Sequence, residues 1–360
     1  MGYVMPNMFD SIVLGGNVLP NRIAIAPMTR SRAQPDGTPG PLASQYYAQR
    51  AGVGLIIAEG TQPSPDGQGY SGTPGIYTQA HIEGWRHVCN AVHAKGGHIF
   101  IQLMHVGRMS HPDNTPHHHQ GVAPSAIAPG TQIATPDGMQ DVPVPRALNV
   151  EDIKDIVKEF RHAARCAVEA GADGVEIHAA NAYLIHQFFG VSSNTRTDEY
   201  GGNIGNRARI AIEIAKAIAD EIGPERTAIR LSPGMSLWGI DEGWEGVDLY
   251  LYLVEELNRL GLAYLHVLHL GDEELLSEMR EIWQNKLIVN RPGRERELIG
   301  KDIESGLADM ESYGALVIAN PDFVERLKQG MPLNDPDATT YFGGNERGYT
   351  DYPVLSEALV

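Results

Sequence analysis

The chain has 360 residues, of which 42% are apolar and 20% charged, a composition typical of a globular protein. A formal net charge of −17 argues against nucleic acid as a partner, because phosphate backbones would be repelled. Two cysteines, Cys89 and Cys166, are too few for a disulfide framework, an iron–sulfur cluster or a zinc site, so we expect a reducing, cytoplasmic location. The N-terminus lacks a signal-peptide pattern, and no apolar run is long enough to predict a membrane span.

Eight short apolar runs predict buried strands. Their apolar character is continuous rather than alternating, which is typical of parallel strands buried on both faces. In chain order the runs are 23–29, 55–60, 98–105, 174–180, 227–233, 264–269, 286–291 and 315–320.

Amphipathic segments between these runs predict helices. The clearest are 151–171, 206–223 and 247–261, each with apolar residues at helical spacing. Strand–helix units repeated eight times predict an α/β fold, a single (β/α)8 TIM barrel over residues 1–360. An open doubly wound sheet is the alternative, and the absence of a G-x-G-x-x-G motif after the first strand argues against it.

Two segments depart from the repeat. Residues 106–150, after the third strand, are rich in proline and histidine and predict a lid-like or cap-like insertion. Residues 333–360 predict an irregular C-terminal tail. We interpret the histidine group at 111–120 as a solvated loop without acidic metal ligands, and we predict no metal site there.

Residues that end the predicted strands are the candidates for a functional site, because TIM barrels carry their active sites there. This set contains neutral donors, one arginine and one histidine, which suits a flat cofactor with a polar edge and a phosphate, such as a flavin. Structural buried polar groups are the alternative interpretation of Gln102 and Arg230. The candidates are Thr29, Gly60, Gln102, Met104, His178 and Arg230, with the loops after 290 and 315.

A polar cluster follows the fourth strand abruptly. His178 and Asn181 could together hold a carbonyl or nitro oxygen as negative charge develops on it. Tyr183, two residues further on, has a hydroxyl that could deliver a proton. In isolation, a hydrogen-bonded core histidine and a packing tyrosine are the favoured interpretations.

Five segments, which span nearly the whole chain in order, resemble the old yellow enzyme family of flavin ene-reductases, including its N-ethylmaleimide reductase-like members. The resemblance implies a TIM barrel that binds FMN non-covalently. It also implies reduction of activated C=C bonds in enones, maleimides or nitro compounds, by ping-pong hydride transfer from NADPH or NADH through FMN. The segments are 26–33, 102–108, 178–210, 319–327 and 348–353.

The resemblance also implies roles for individual residues. The family's substrate-oxygen pair falls on His178 and Asn181, and its proton-donating tyrosine falls on Tyr183. The family's flavin contacts fall on Pro27, Met28, Thr29, Gly60, Gln102 and Arg230.

Two substitutions change the substrate pocket that the resemblance implies. Met104 stands where the family usually has tryptophan, which predicts a softer pocket wall. Phe342 stands where many relatives have tyrosine, so a hydroxyl near the substrate entrance is missing.

The phosphate-binding loops depart further. A glycine-rich turn is replaced by Asn290-Arg291-Pro292, and the usual arginine after Gly314 is Ala315. We predict that Arg291, helped by Arg294, replaces the missing arginine as the phosphate ligand. One alternative is that Arg291 is a surface residue paired with Glu295 or Glu297 and that the FMN site is weakened. The other is a non-redox barrel that has lost its cofactor.

Overall fold

The computed structural model describes residues 6–355, which form a closed barrel of eight parallel strands. The start of the chain, where no signal peptide is expected, and residues 356–360 of the predicted tail lie outside the described residues. The barrel strands are β1 Ile23–Ile25, β2 Leu55–Thr61, β3 Ile99–Leu103, β4 Gly174–Ala179, β5 Thr227–Leu231, β6 Tyr264–Leu268, β7 Lys286–Asn290 and β8 Met310–Tyr313.

Helices between and after the strands pack outside the barrel, which confirms the predicted (β/α)8 fold. The longest begins at the capping residue Asn149, whose side chain accepts from the Asp152 amide while Asp152 accepts from the Asn149 amide. The helices are α1 Ala43–Gln49, α2 Gln79–His93, α3 Val150–Glu169, α4 Leu184–Phe189, α5 Ile204–Ile222, α6 Gly246–Asn258, α7 Glu273–Ile282, α8 Lys301–Glu304, α9 Ala315–Ala319 and α10 Phe323–Lys328.

The prediction of the eighth strand at 315–320 was wrong. That run forms the short helix α9, and the strand that closes the barrel is β8, which pairs with β1 through Glu311↔Ile23 and Tyr313↔Ile25. A short apolar run does not distinguish a strand from a buried helix. The polar Glu311 is accommodated in β8 because its carboxylate accepts from the amides of Gly300 and Asp302.

The barrel interior is apolar at one end and polar at the other. At the N-terminal end of the strands, a hairpin formed by Ile12–Leu14 and Asn17–Leu19 packs with interior residues such as Leu55 and Phe100. Towards the C-terminal end the buried residues include Gln102, Glu176, Arg230, His266, Asn290 and Ser312. Such a layer of buried polar side chains has to be satisfied by internal partners or by a ligand.

The insertion at 106–150 contains a hairpin, Gln132–Thr135 with Gly138–Asp141, and a short parallel pair, Val122–Ala123 with Arg146–Ala147. Its apolar residues cluster with Met104, and Tyr70, Tyr183 and Trp238 pack against the same cluster. The insertion therefore covers the barrel close to the predicted site.

Buried arginines hold the tail against the barrel. Arg30 donates to the carbonyl of Gly348 at 2.8 Å, and Arg50 donates to that of Tyr349 at 3.1 Å. The Tyr349 ring stacks on Tyr46 with centroids 4.2 Å apart. Across the part of the chain that the structure describes, helices of membrane-spanning length and apolarity are absent.

Candidate active site

The cluster predicted after the fourth strand is assembled by a sharp left-handed turn at the end of β4. His178 lies on β4, in register with Arg230 of β5, and is almost fully buried. Asn181 and Ala182 both have positive φ angles, 57° and 63°, which are strained for residues other than glycine. The Asn181 amide donates to Ser232 Oγ at 2.9 Å and the Ala182 amide donates to His186 Nδ1 at 2.9 Å, so both strained residues are held in place.

Asn181 has a side-chain atom without a protein partner. Its Oδ1 is buried and makes no hydrogen bond within the described chain. Buried polar atoms are rarely left unpaired unless a ligand or water completes them. The turn therefore presents a carboxamide that is free to bind a ligand beside His178.

A buried carboxylate determines which nitrogen of His178 carries the proton. Gln102 Nε2 donates to Glu176 Oε1 at 2.8 Å and lies 3.3 Å from His178 Nδ1. An ionised carboxylate only accepts, so it fixes the Gln102 amide with its two protons towards Glu176 and His178. His178 then accepts at Nδ1, and its proton is on Nε2, which is available to donate.

The surroundings support an ionised Glu176 and a neutral His178. Burial opposes ionisation of Glu176, but the charges and hydrogen bonds of His266, Arg230 and Gln102 hold its pKa below its usual value. Burial, together with the positive charge of Arg230, lowers the pKa of His178 well below its usual value. His178 is therefore a neutral donor near neutral pH.

Tyr183 lies at the N-terminus of α4 and its hydroxyl is 3.2 Å from that of Tyr70. The Tyr183 ring lies 5.3 Å from the His178 ring and 5.6 Å from the Trp238 ring, measured between centroids. Burial raises the pKa of Tyr183, and the hydrogen bond from Tyr70 opposes this rise. The site thus brings the three residues predicted as catalytic together.

Sequence reasoning missed four residues of this site, which are Tyr70, Glu176, Trp238 and His266. Tyr70 lies in a glycine-rich stretch without periodicity, and Trp238 lies in a loop. The available signal was the acidic Glu176 inside an apolar strand, since a charge at such a position requires a partner. That partner is His266, whose Nδ1 lies 2.8 Å from Glu176 Oε2.

Arg230 has the free donor that a cofactor would need. It is fully buried, its Nη2 donates to Asn290 Oδ1 at 2.9 Å, and its Nε has no partner within the described chain. Burial lowers its pKa, while the negative charge of Glu176 favours the charged form. An unpaired, charged N–H at this place fits the electron-rich pyrimidine end of a flavin.

Residues at the ends of β1, β2, β3 and β8 approach one another closely. A Cβ on Gly60 would lie 2.6 Å from Met104 Sδ, so a larger residue there would have to displace the end of the Met104 side chain. Similarly, a Cβ on Gly314 would lie 3.0 Å from Met28 Sδ. The predicted flavin contacts Pro27 and Thr29 flank Met28 at the end of β1, where Pro27 is buried and Thr29 is half-buried.

Arg291 is already paired with carboxylates. Its Nη1 and Nη2 donate to Glu273 at 2.6 and 2.9 Å, and its Nε donates to Asp302 at 2.8 Å. The hydrogen bond from Arg291 lowers the pKa of Glu273 to about 2. The predicted surface partners Glu295 and Glu297 are not the ones found.

Arg294, suggested as a second phosphate ligand, is also committed. It donates to Asp302 at 2.5 Å and to the carbonyl of Leu298 at 2.7 Å. Pro292 has no N–H group, and Ala315, at the start of α9, offers no side-chain donor. The ring end of a flavin site therefore has a free donor, Arg230 Nε, whereas the phosphate end has no unpaired side-chain cation among Arg291 and Arg294.

Phe342, predicted near the substrate entrance, is 66% exposed in the tail. The adjacent amide of Gly343 donates to the carbonyl of Arg30 at 2.9 Å, which fixes this part of the tail near the end of β1. Met104, predicted as a pocket wall, is buried under the insertion.

Comparison with known proteins gives matches over nearly the whole chain. The sequence pattern of the NADH:flavin oxidoreductase / NADH oxidase family matches residues 7–334. A probable flavin mononucleotide-dependent alkene reductase of Leishmania infantum is 38% identical, and the match covers 97% of each chain. Morphinone reductase in complex with tetrahydroNAD is 45% identical with a TM-score of 0.93, over 97% of this chain and 98% of that one. The old yellow enzyme homologue of Zymomonas mobilis is 38% identical with a TM-score of 0.93, over 97% and 100% of the two chains.

Proposed function

Because the chain belongs to the old yellow enzyme family of NADH:flavin oxidoreductases, we propose that His178, Asn181 and Tyr183 form its substrate-activating site. The protein is an FMN-dependent oxidoreductase that uses NAD(P)H to reduce activated C=C bonds. Enones and maleimides are the substrates that best suit the site, because each carries a carbonyl oxygen conjugated to the double bond.

The ring end of the site fits FMN. The unpaired Nε of Arg230 and the close approaches at Gly60 and Gly314 are the observations that support this fit. We propose that Pro27, Met28, Thr29, Gly60, Gln102 and Arg230 hold the ring system. When bound, FMN accepts a hydride from NAD(P)H and transfers a hydride to the alkene.

The phosphate end calls for a different arrangement from the one predicted. The charge of Arg291 is balanced by two carboxylates and three of its five N–H donors are used, which makes it a poor phosphate ligand. We propose that backbone N–H groups of the loops after β7 and β8, including the region of Gly314 and Ala315, are the main phosphate ligands. Arg291 then has a structural role and contributes to phosphate binding only if it leaves Glu273.

The substrate oxygen is held by His178 and Asn181. The contacts of Gln102 Nε2 with Glu176 Oε1 and His178 Nδ1 are the single observation that carries this proposal, because they leave His178 Nε2 as an N–H donor. A donor aimed at an oxygen that gains negative charge stabilises the transition state more than the ground state. Asn181 supplies the second hydrogen bond through its side-chain Nδ2, because only the NH2 group of a carboxamide can donate to an oxygen.

Tyr183 delivers the proton to the carbon that does not receive the hydride. To do so, its own proton must face the substrate, so Tyr70 has to donate to the Tyr183 oxygen. That hydrogen bond stabilises the negative charge that develops on the Tyr183 oxygen as its proton leaves. Tyr70 is therefore proposed as a residue that assists the proton donor.

The half-reactions test this assignment. In anaerobic stopped-flow experiments, we expect Tyr183→Phe to be reduced by NAD(P)H at nearly the wild-type rate and re-oxidised slowly by an enone. A quinone, which needs no proton on carbon, should re-oxidise both proteins similarly. Slow reduction combined with normal re-oxidation by the enone would rule out Tyr183 as the proton donor.

We further propose that residues 1–360 form one FMN-binding domain located in the cytoplasm. The barrel supports this because the insertion and the described tail pack against it rather than forming a separate core. Cys89 and Cys166 are both buried and unpaired, as in proteins of a reducing compartment. The acidic net charge favours small-molecule substrates over nucleic acid.

A further inference from the structure

Three metal-binding side chains meet at the surface, outside the active site. Asp66 lies in the short helical turn after β2, and His117 and His119 lie in the insertion. Asp66 Oδ1 is 3.1 Å from His119 Nδ1 and 3.9 Å from His117 Nε2. The sequence-based expectation that no acidic ligand accompanies these histidines was therefore wrong, because the fold supplies one from a segment about 50 residues away.

The backbone of the insertion places the two imidazoles side by side. His118, between them, has a φ of 53°, in the left-handed region that non-glycine residues rarely adopt. Its own Nδ1 turns away and lies 2.9 Å from the carbonyl of Pro112. As a result, the rings of His117 and His119 lie on one side, with centroids 4.3 Å apart. Strain of this kind often marks a functional position.

We propose that Asp66, His117 and His119 form a site for a divalent transition metal ion of the zinc type. Their ligand atoms all lie within 4.8 Å of one another, so modest side-chain movements bring them to the spacing of about 3.3 Å that bonds of about 2.0 Å to a tetrahedral ion require. Two imidazoles and one carboxylate suit zinc, nickel or copper rather than calcium or magnesium. Three protein ligands leave the fourth position to water.

Binding requires one local change, which limits the affinity. In the metal-free arrangement His117 Nδ1 accepts from the His119 amide, and Nε2 lies 2.9 Å from the carbonyl of Pro65. The proton is therefore on Nε2, the atom that would bind the ion. It has to move to Nδ1, and the bond to the His119 amide is lost.

An ion at this site would join two segments that border the active site. The segment that follows Asp66 is already hydrogen-bonded to the insertion, because Asn114 donates to the carbonyl of Gly69 at 3.0 Å and Ser110 to that of Gln68 at 3.1 Å. The same segment carries Tyr70, which contacts Tyr183. A metal ion would therefore stabilise the insertion against the barrel by adding a further cross-link.

Calorimetric titration of zinc into the chelator-treated, FMN-loaded protein tests the site. We expect about one ion to bind per chain, and His119→Ala and Asp66→Asn each to weaken binding at least tenfold. His87→Ala removes an exposed histidine on α2, away from the cluster, and should bind zinc as the wild type does. At a hundredfold excess over Kd, the wild-type Tm should rise by about 3–4 °C, and the rise should be absent in the two site variants.

The result is independent of the proposed catalytic function, because the readouts are heat and Tm rather than turnover. The variants should keep the wild-type flavin spectrum in the absence of zinc, which shows that they are folded. Zinc binding of wild-type strength in both site variants, or no saturable binding to the wild type, would overturn the proposal.

Discussion

Replacing Tyr70 by phenylalanine should slow proton transfer from Tyr183 without affecting reduction by NAD(P)H. The change removes one hydroxyl, at 3.2 Å from the Tyr183 oxygen, and keeps the ring. In the ground state this is a hydrogen bond between neutral groups, worth about 0.5–1.5 kcal/mol. In the transition state the Tyr183 oxygen becomes partly anionic, and a bond to a charged group is worth about 1.5–3 kcal/mol.

Only the difference between these two values changes the rate. That difference is about 1–1.5 kcal/mol, so re-oxidation by an enone should be about 5- to 12-fold slower. The hydrogen bond from Tyr70 lowers the pKa of Tyr183. Tyr183 should therefore be a weaker acid in the Tyr70→Phe variant.

Anaerobic stopped-flow measurement of both half-reactions in a double-mutant cycle gives the control. In the Tyr183→Phe background, Tyr70→Phe should have no further effect on enone-dependent re-oxidation, because the assisted proton donor is already absent. Equal slowing of the two half-reactions, or additive effects in the double variant, would refute this reasoning and make Tyr70 a substrate contact.

Three further predictions concern the oxygen-binding pair and the phosphate end. His178→Ala should raise the barrier to enone reduction by about 3 kcal/mol; a kcat/KM within a few-fold of wild type would contradict the site assignment. Arg291→Ala should lower Tm but leave the FMN Kd, measured by flavin fluorescence, unchanged. Ala315→Arg should tighten FMN binding. A Kd at least tenfold weaker in Arg291→Ala would restore the role of Arg291 as a phosphate ligand. The Arg291–Glu273 pair should stabilise the fold fully when the pH is above the unfolded glutamate pKa of about 4.3. This stabilisation should be lost as the pH falls through the folded Glu273 pKa of about 2. The Tm difference between wild type and Arg291→Ala should therefore shrink over that pH range.

Sequence patterns were sufficient for the barrel because they report local burial. Continuous apolar runs separated by amphipathic helices predicted the architecture and seven of the strands. The error at 315–320 has the same origin, since α9 and a buried strand are both apolar and short. What distinguishes β8 is its pairing with β1, which lies near the other end of the sequence. No local pattern contains this information.

The substrate-activating cluster could also be predicted, because β4 and the turn after it are contiguous. His178, Asn181 and Tyr183 lie within six residues, so the sequence already places them together at a strand end. The tautomer of His178 could not be predicted in this way. It depends on Glu176 and Gln102, whose contact joins β4 to β3 across 74 positions of the chain.

By itself, the sequence determined the fold class and the family and indicated the candidate reacting side chains, because these depend on local periodicity and on contiguous motifs. Tertiary structure alone decided which charges are free. Arg291 is paired because the fold brings Glu273 and Asp302 to it, and His117 and His119 lie beside a carboxylate because the fold brings Asp66 to them. Electrostatic interactions fall off with distance in space rather than along the chain, so only the folded protein determines which ions pair and which remain available for a ligand.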